Sequence, residues 1–392
     1  MRCLQRTGLV TLILAAAPSS AATPSYSVVD VGSLGGNITQ AYGINDNGDI
    51  VGESEISTSS TSPPMHAFLY HHASGSVVDL GTPGGSQSEA FSINDAGTIT
   101  GEVYETTSNH GTTYWHPVIW LASGGSLTLE GPYSNGYALY VSPNGISNTG
   151  LIIGQGYIND VGADRAILYK NGTITNLGTL GGDWSDGNAI SPQGIYIAGT
   201  SAVKGATTAT NFLPTHAFAY RNGTRTDLGA LASGQYSSAA GVNNKGDVVG
   251  YSWIGQTGSC TPSPYTPVIQ HAFVSMNGKM TDLGNLANKT TCNSTAEAIN
   301  DTGEIVGRSD AITTANEPVE RAFLNSGGQM YSLTFLDWGD PAWGFVRLTD
   351  AVAINCNGWI AANGFDIRTP NVYRVYLLIR KGPLRPECPA PK

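Results

Sequence analysis

"AYGINDNGDIVGES", residues 41–54, is the stretch whose reading decides the fold. Two short apolar segments flank Asn45-Asp46-Asn47-Gly48. Asn and Asp side chains bond nearby backbone and Gly accepts positive φ, so these four residues read as a tight turn joining two strands. The stretch returns as "AFSINDAGTITGEV", "YVSPNGISNTGLIIGQG", "GNAISPQGIYIAGT", "AAGVNNKGDVVGYS", "AEAINDTGEIVGRS" and "AVAINCNGWIAANG". Two other markers keep step with it. One appears as "VVDVG" at 28, "VVDLG" at 77, "LTLEG" at 127, "ITNLG" at 174, "RTDLG" at 225, "MTDLG" at 280 and "MYSLT" at 330. The other begins at His66 ("HAFLY"), His116, Arg165, His216, His271, Arg321 and Arg374, at intervals of 50, 49, 51, 55, 50 and 53 residues. A register held seven times across residues 26–380 marks a repeat architecture.

Each unit holds four short apolar segments rich in Val, Ile, Leu, Tyr and Phe, a length and composition that suit strands. Four strands in each of seven units predict an all-β, seven-bladed β-propeller built of repeats of roughly 50 residues. A parallel β-helix is the alternative, but its rungs do not need a hairpin in every repeat. The small apolar "A-x-x-IN" segment suits the innermost strand A, "IVG" strand B, "HAF" strand C and the more polar "DLG" segment the outer strand D. The chain then begins with an outer strand and ends with strands A to C. The N-terminal strand is therefore expected to complete the last blade and close the ring.

Of 392 residues only 12% are charged, while 50 are Gly, which fits many tight turns and disfavours helical bundles. A net charge of −10 argues against nucleic acid and against docking on anionic lipid. Residues 1–22 read as a signal peptide: Arg2 and Arg6, then the apolar stretch 9–17, then small residues around Ser19 to Ala22. Removing those two arginines leaves 17 basic against 29 acidic residues, a charge of −12. No later apolar run is long enough to span a bilayer. The expected organisation is signal peptide 1–22, a single propeller 26–380 and a tail 381–392, in an exported protein, extracellular or periplasmic, that acts as a monomer.

Loss of the leader removes Cys3 and leaves Cys260, Cys292, Cys356 and Cys388, an even count that implies two disulfides. In the strand register, Cys260 lies in a B–C loop and Cys292 in the following D–A loop, on one face of the ring. Cys356 lies in the A–B turn of the last blade and Cys388 in the tail, on the other face. The pairs Cys260–Cys292 and Cys356–Cys388 follow.

The motifs "NLGTLGG" at 176, "INDNGDIVG" at 44 and "HAF" at 66, 216 and 271 resemble the HAF repeat family of probable bacterial extracellular repeat proteins. The resemblance covers nearly the whole chain after the leader. It implies an extracellular repeat protein and carries no reaction, substrate or catalytic residue. Repeats 3 and 7 depart from the pattern, with "EGPYSNGY" and "FLDWGDPAWGF" in place of the Gly-Gly loop.

His66, His116, His216 and His271 occupy one equivalent position in separate blades, where the other blades carry Arg. Rings so far apart do not converge on the roughly 2 Å bonds of a metal site. What His and Arg share is hydrogen-bond donation, so the position reads as a structural donor. The turns "NDNGD" and "NDTGE" lack the order of a calcium loop and read as hairpins. No G-x-S-x-G, H-E-x-x-H or phosphate-loop motif occurs. No catalytic residue, metal site or cofactor is therefore assigned. The D–A loops, at the mouth of the axis, carry Tyr133, Tyr137, Trp184, Tyr236, Trp338 and Trp343, with Asp183, Asp186, Asp337 and Asp340. Tyr133, Trp184, Tyr236, Trp338 and Trp343 are the candidate ligand-binding residues, because flat rings stack on sugars and peptide side chains. The expected function is a non-catalytic binding module for a glycan or surface protein. The alternatives are a carbohydrate-active hydrolase or lyase using the loop carboxylates, recognisable by two carboxylates of different blades facing one pocket, and a purely structural surface protein.

Overall fold

A computed structural model describes residues 24–59, 62–106, 113–129, 137–158, 161–206, 214–232, 235–258, 260, 268–315, 317–335 and 341–391. The hairpin of residues 41–54 forms strands A (Thr39–Ile44) and B (Ile50–Glu55) of blade 1, followed by C (Met65–His71) and D (Ser76–Asp79). The order A-B-C-D recurs in seven four-stranded antiparallel sheets, so the protein is a seven-bladed β-propeller. Blade 7 takes strands A to C from Val346–Ile354, Ile360–Asp366 and Tyr373–Arg380, and strand D from Tyr26–Asp30 at the other end of the chain. Tyr26 pairs with Arg380 and Asp30 with Tyr376, which closes the ring as expected.

The cores lie between blades. The "HAF" phenylalanines Phe68, Phe218, Phe273 and Phe323 are fully buried, each against apolar residues of the preceding blade. Phe68 thus packs on Ala361 and Leu377 of blade 7. His66, His216 and His271, two residues ahead of Phe68, Phe218 and Phe273, sit at the edge of this core. Nδ1 of His66 lies 2.9 Å from Asp79, that of His216 2.8 Å from Asp227, and that of His271 2.9 Å from Asp282. "HAF" and "DLG" are thereby two halves of one contact between strands C and D. In blade 2, where "LEG" lacks the Asp, His116 turns instead to Glu105 at 3.0 Å. Arg165 and Arg374 donate from the same position to backbone carbonyls of the next blade, that of Asp183 early in strand A and that of Asn37 in the D–A connection.

Every strand A carries a β-bulge at the same place, after Ala41, Ala90, Pro143, Gly187, Ala239, Ala296 and Ala351. The bulge presses a strand-A carbonyl against strand B. A Cβ at Gly52 would sit 1.9 Å from the Gln40 oxygen, and one at Gly250 1.9 Å from that of Ser238. This close approach is why "IVG" ends in Gly.

On the A–B rim the turns bond to one another around the ring. Asn45 Nδ2 donates to the Asn94 carbonyl (3.1 Å), Asn243 to Asn300 (3.1 Å), Asn300 to Asn355 (3.3 Å) and Asn355 to Asn45 (3.1 Å). One residue on, the Asp46 N–H donates to Asp95, the Asn244 N–H to Asp301 and the Cys356 N–H to Asp46. The "IND" motif is therefore an inter-blade joint. The disulfides Cys260–Cys292 and Cys356–Cys388 both form as expected. The second holds the tail across this rim, where Arg385 also contacts Glu304 (2.6 Å) and Asn357 (3.2 Å).

Candidate ligand-binding face

The bulge turns one side chain per blade toward the axis. Tyr42, Phe91, Asn144, Asn188, Ala240, Glu297 and Val352 line an axial cavity of about 430 Å³. At its A–B end the cavity is bordered by Asp46, Asp95, Asp301 and the tail residues Glu387 and Pro389. Burial pushes Asp46 up to about 6, with Asp95 and Asp301 adding to the shift.

The D–A end is rich in carboxylates on the two inner strands. Glu89 pairs across strands with Glu102, and Glu53 of blade 1 receives the Tyr42 hydroxyl at 2.6 Å. Burial pushes Glu89 up to about 7, helped by the charges of Glu53 and Glu102. In blade 7, which adjoins blade 1, burial pushes Asp350 up to about 7. Glu297 and Glu320 add to that shift and Arg308 opposes it. Asp186 rises to about 6 through burial, restrained by the Asn144 amide at 3.0 Å.

Blade 5 supplies the aromatic element. Tyr236 lies one residue ahead of strand A (Ser237–Val242) and stacks on Trp253, with centroids 4.9 Å apart at 25°. It also stacks on Tyr251 at 6.0 Å and 29°. Tyr251 and Trp253 alternate along strand B (Val248–Thr257) and so share a face. The Trp253 N–H donates to the Tyr236 carbonyl at 2.9 Å, which fixes the loop residue to the strand. All three side chains are half-buried.

The remaining expected residues scatter. Trp184 lies within strand A of blade 4 (Gly181–Ile190), not in a loop. The same strand holds Asp183 and Asp186, because bulged pairing to strand B extends back to Gly181. Trp184 and Tyr236 are equivalent positions, each just before the serine that accepts the "HAF" alanine N–H of the preceding blade (Ser185 and Ser237). Trp343 stands in a short 3-10 segment, Pro341–Phe345, edge-to-face with Tyr376 at 6.0 Å and packed on the core of blade 7. It plugs the closing blade rather than joining the stack. Tyr137 begins strand A of blade 3. Tyr133, Trp338, Asp337 and Asp340 lie outside the described residues. Tyr251, Trp253, Glu53, Glu89, Glu297 and Asp350 are site residues that the motifs did not single out. The period-two spacing of Tyr251 and Trp253 in "VVGYSWIG" is the signal that points to the first two.

No family model and no curated protein matches the chain. Among solved structures it is similar to the β-propeller domain of the Trilobed protease from Pyrococcus furiosus. The TM-score is 0.50 at 8% identity, covering 88% of this chain and 93% of that one. That domain is described as having an open velcro topology, whereas here the N-terminal strand is hydrogen-bonded into blade 7. The tricorn protease (TM-score 0.49, 10% identity, 91% of this chain and 36% of that one) and TolB from Acinetobacter baumannii (0.40, 12%, 61% and 52%) are further neighbours. At such identities the likeness speaks to the propeller fold alone.

Proposed function

We propose that this protein is an exported, non-catalytic binding module of the HAF-repeat type, whose ligand is a glycan lying across the D–A face. The observation that carries the reading is the stack of Tyr236 on Trp253 and Tyr251, an aromatic surface on the D–A side with the Glu297 charge acting on it. Flat rings stack on the apolar faces of pyranoses, and neighbouring carboxylates accept hydrogen bonds from sugar hydroxyls. Two disulfides, with no helix among the described residues long and apolar enough to cross a membrane, are compatible with export. A glycan array tests the reading. Binding by the wild type that is lost in both Tyr236→Ala and Trp253→Ala supports it, with Trp184→Ala unchanged. Unaltered binding in the first two rejects the stack.

One observation favours a second reading, a carbohydrate-active hydrolase. Glu53 and Glu89 come from neighbouring blades, and both are pushed up, mainly by burial. An acid held protonated near neutrality beside a second carboxylate is the arrangement such chemistry needs. Chromatography of oligosaccharides incubated with wild type and Glu89→Gln separates the two readings. Products formed by the wild type alone establish the hydrolase.

A further inference from the structure

We propose that the D–A mouth between blades 6 and 7 is a subsite for a protonated primary amine, and that the glycan bound on this face is an amino sugar that carries it. The inference rests on the binding reading above. Glu297 is the bulge residue of blade 6, and Asp350 lies on strand A of blade 7. Glu320 stands near the start of strand C of blade 6 (Pro318–Ser326). Blades 6 and 7 meet here: Val306, Ala322 and Leu324 of blade 6 pack with Leu348 and Ala351, on either side of Asp350, and the charges of Glu297 and Glu320 act on Asp350. The cation among them is Arg308, whose Nε is 3.8 Å from Glu297 Oε1 and whose side chain is half exposed. One guanidinium against three carboxylates leaves a surplus of negative charge, and Asp310 beside Glu320 adds to it.

Asp350 supplies an independent pointer to a ligand. Its Oδ1 is buried and accepts no hydrogen bond. A buried carboxylate oxygen without a donor is unfavourable, and a ligand that brings N–H groups relieves it. An ammonium suits the place: it is compact, carries one positive charge and offers three donors. A divalent metal suits it less well. Among the described residues these oxygens do not converge within 4.8 Å of one another, and Arg308 sits among them. The aromatic stack is adjacent. Strand A of blade 5 packs closely on that of blade 6, where a Cβ at Gly241 would sit 3.0 Å from the Glu297 carbonyl oxygen, and the Glu297 charge acts on Tyr251 of blade 5. In the proposed complex a saccharide chain runs from the aromatic stack past Glu297 toward Asp350, with its amine at the acidic subsite.

Calorimetric titration of the full chain at pH 7 tests the proposal, using a β-1,4-glucosamine hexamer and its N-acetylated counterpart. The free-amine hexamer is expected to bind at least tenfold more tightly. Asp350→Asn and Glu297→Gln are each expected to remove that difference while leaving the acetylated hexamer unchanged. Equal binding of the two hexamers by the wild type overturns the amine subsite. In that case Tyr236→Ala still decides the aromatic reading, because it must abolish both. A lysine hexapeptide that binds as tightly, with the same dependence on Asp350, assigns the subsite to peptides and overturns the sugar. Thermal melts separate binding from folding. Asp350→Asn removes a buried, repelled charge and is expected to melt no lower than the wild type at pH 8. Should it melt lower, Glu297→Gln carries the binding test.

Discussion

The two rims of the propeller follow different rules. On the A–B rim each turn bonds to the turn of the next blade, through Asn45, Asn94, Asn243, Asn300 and Asn355 and through Asp46, Asp95 and Asp301. On the D–A rim the corresponding residues differ from blade to blade: Trp184 in one, Tyr236 in the next, and Asp350 or Glu89 on the inner strands. A residue whose hydrogen bonds complete a neighbouring blade is constrained seven times over and becomes a motif. A residue whose partners lie within its own blade or in a ligand is free to vary. Regularity therefore marks the rim that holds the ring together, and irregularity marks the rim on which the proposed ligand is placed.

The sharpest way to break this contrast is on the A–B rim. Asn300→Ala deletes the donor to Asn355 and the acceptor of the Thr302 and Glu304 N–H groups. Stranding such buried groups costs about 1–3 kcal/mol each, so a loss near 3 kcal/mol is expected in urea unfolding, with ligand binding unaltered. Replacing both Cys356 and Cys388 by Ser frees the tail from the same rim, and should cost about 2–4 kcal/mol by the same measurement.

The pH dependence follows from the carboxylates. Glu89 and Asp350 at about 7, and Asp46 and Asp186 at about 6, all lie above ordinary carboxylate values. The folded protein then binds protons more tightly than the unfolded chain, so stability rises as pH falls from 8 through 6. Two effects oppose this at lower pH. His72 and His116 are held down, chiefly by burial, and lose stability as the unfolded chain protonates near pH 6.5. Glu304 is lowered because its arginine contacts outweigh burial, and its contribution disappears below roughly pH 4. Calorimetric melting should show a maximum between about pH 4.5 and 6, and Asp350→Asn should flatten the slope between pH 6 and 8.

On the D–A rim the effects on folding shrink and those on binding grow. Tyr236→Ala should cost about 1 kcal/mol of stability, the scale of a lost aromatic stack, while removing ligand binding. Smallest of all, Asp79→Asn removes a half-exposed partner of His66, for which about 0.5 kcal/mol is expected in the same melts.

Most of the fold was legible because its determinants are local and repeated. The Asn-Gly turns, the "IVG" strands, the closing N-terminal strand and both disulfides follow from a register that recurs seven times, since each blade meets the same neighbours and needs the same residues. The role of the "HAF" position as a donor was legible too, from its His-or-Arg alternation, though not that Asp79, Asp227 and Asp282 are what the histidines meet. The candidate site was legible only in part. Tyr236 was identified from its type and loop position. Trp253 and Tyr251 look like ordinary strand residues until the D–A connection folds over them, and Trp343 looks like a platform until it packs on Tyr376. The strand-A bulge leaves no sequence mark of its own beyond the Gly opposite it, yet it turns Glu297 to the axis. Sequence alone determined how many blades form and how they join, because those contacts are set by periodic local chemistry. Tertiary structure alone decided which aromatic and acidic side chains meet at the mouth, because those contacts join different blades at one axis, where separation along the chain says nothing about distance.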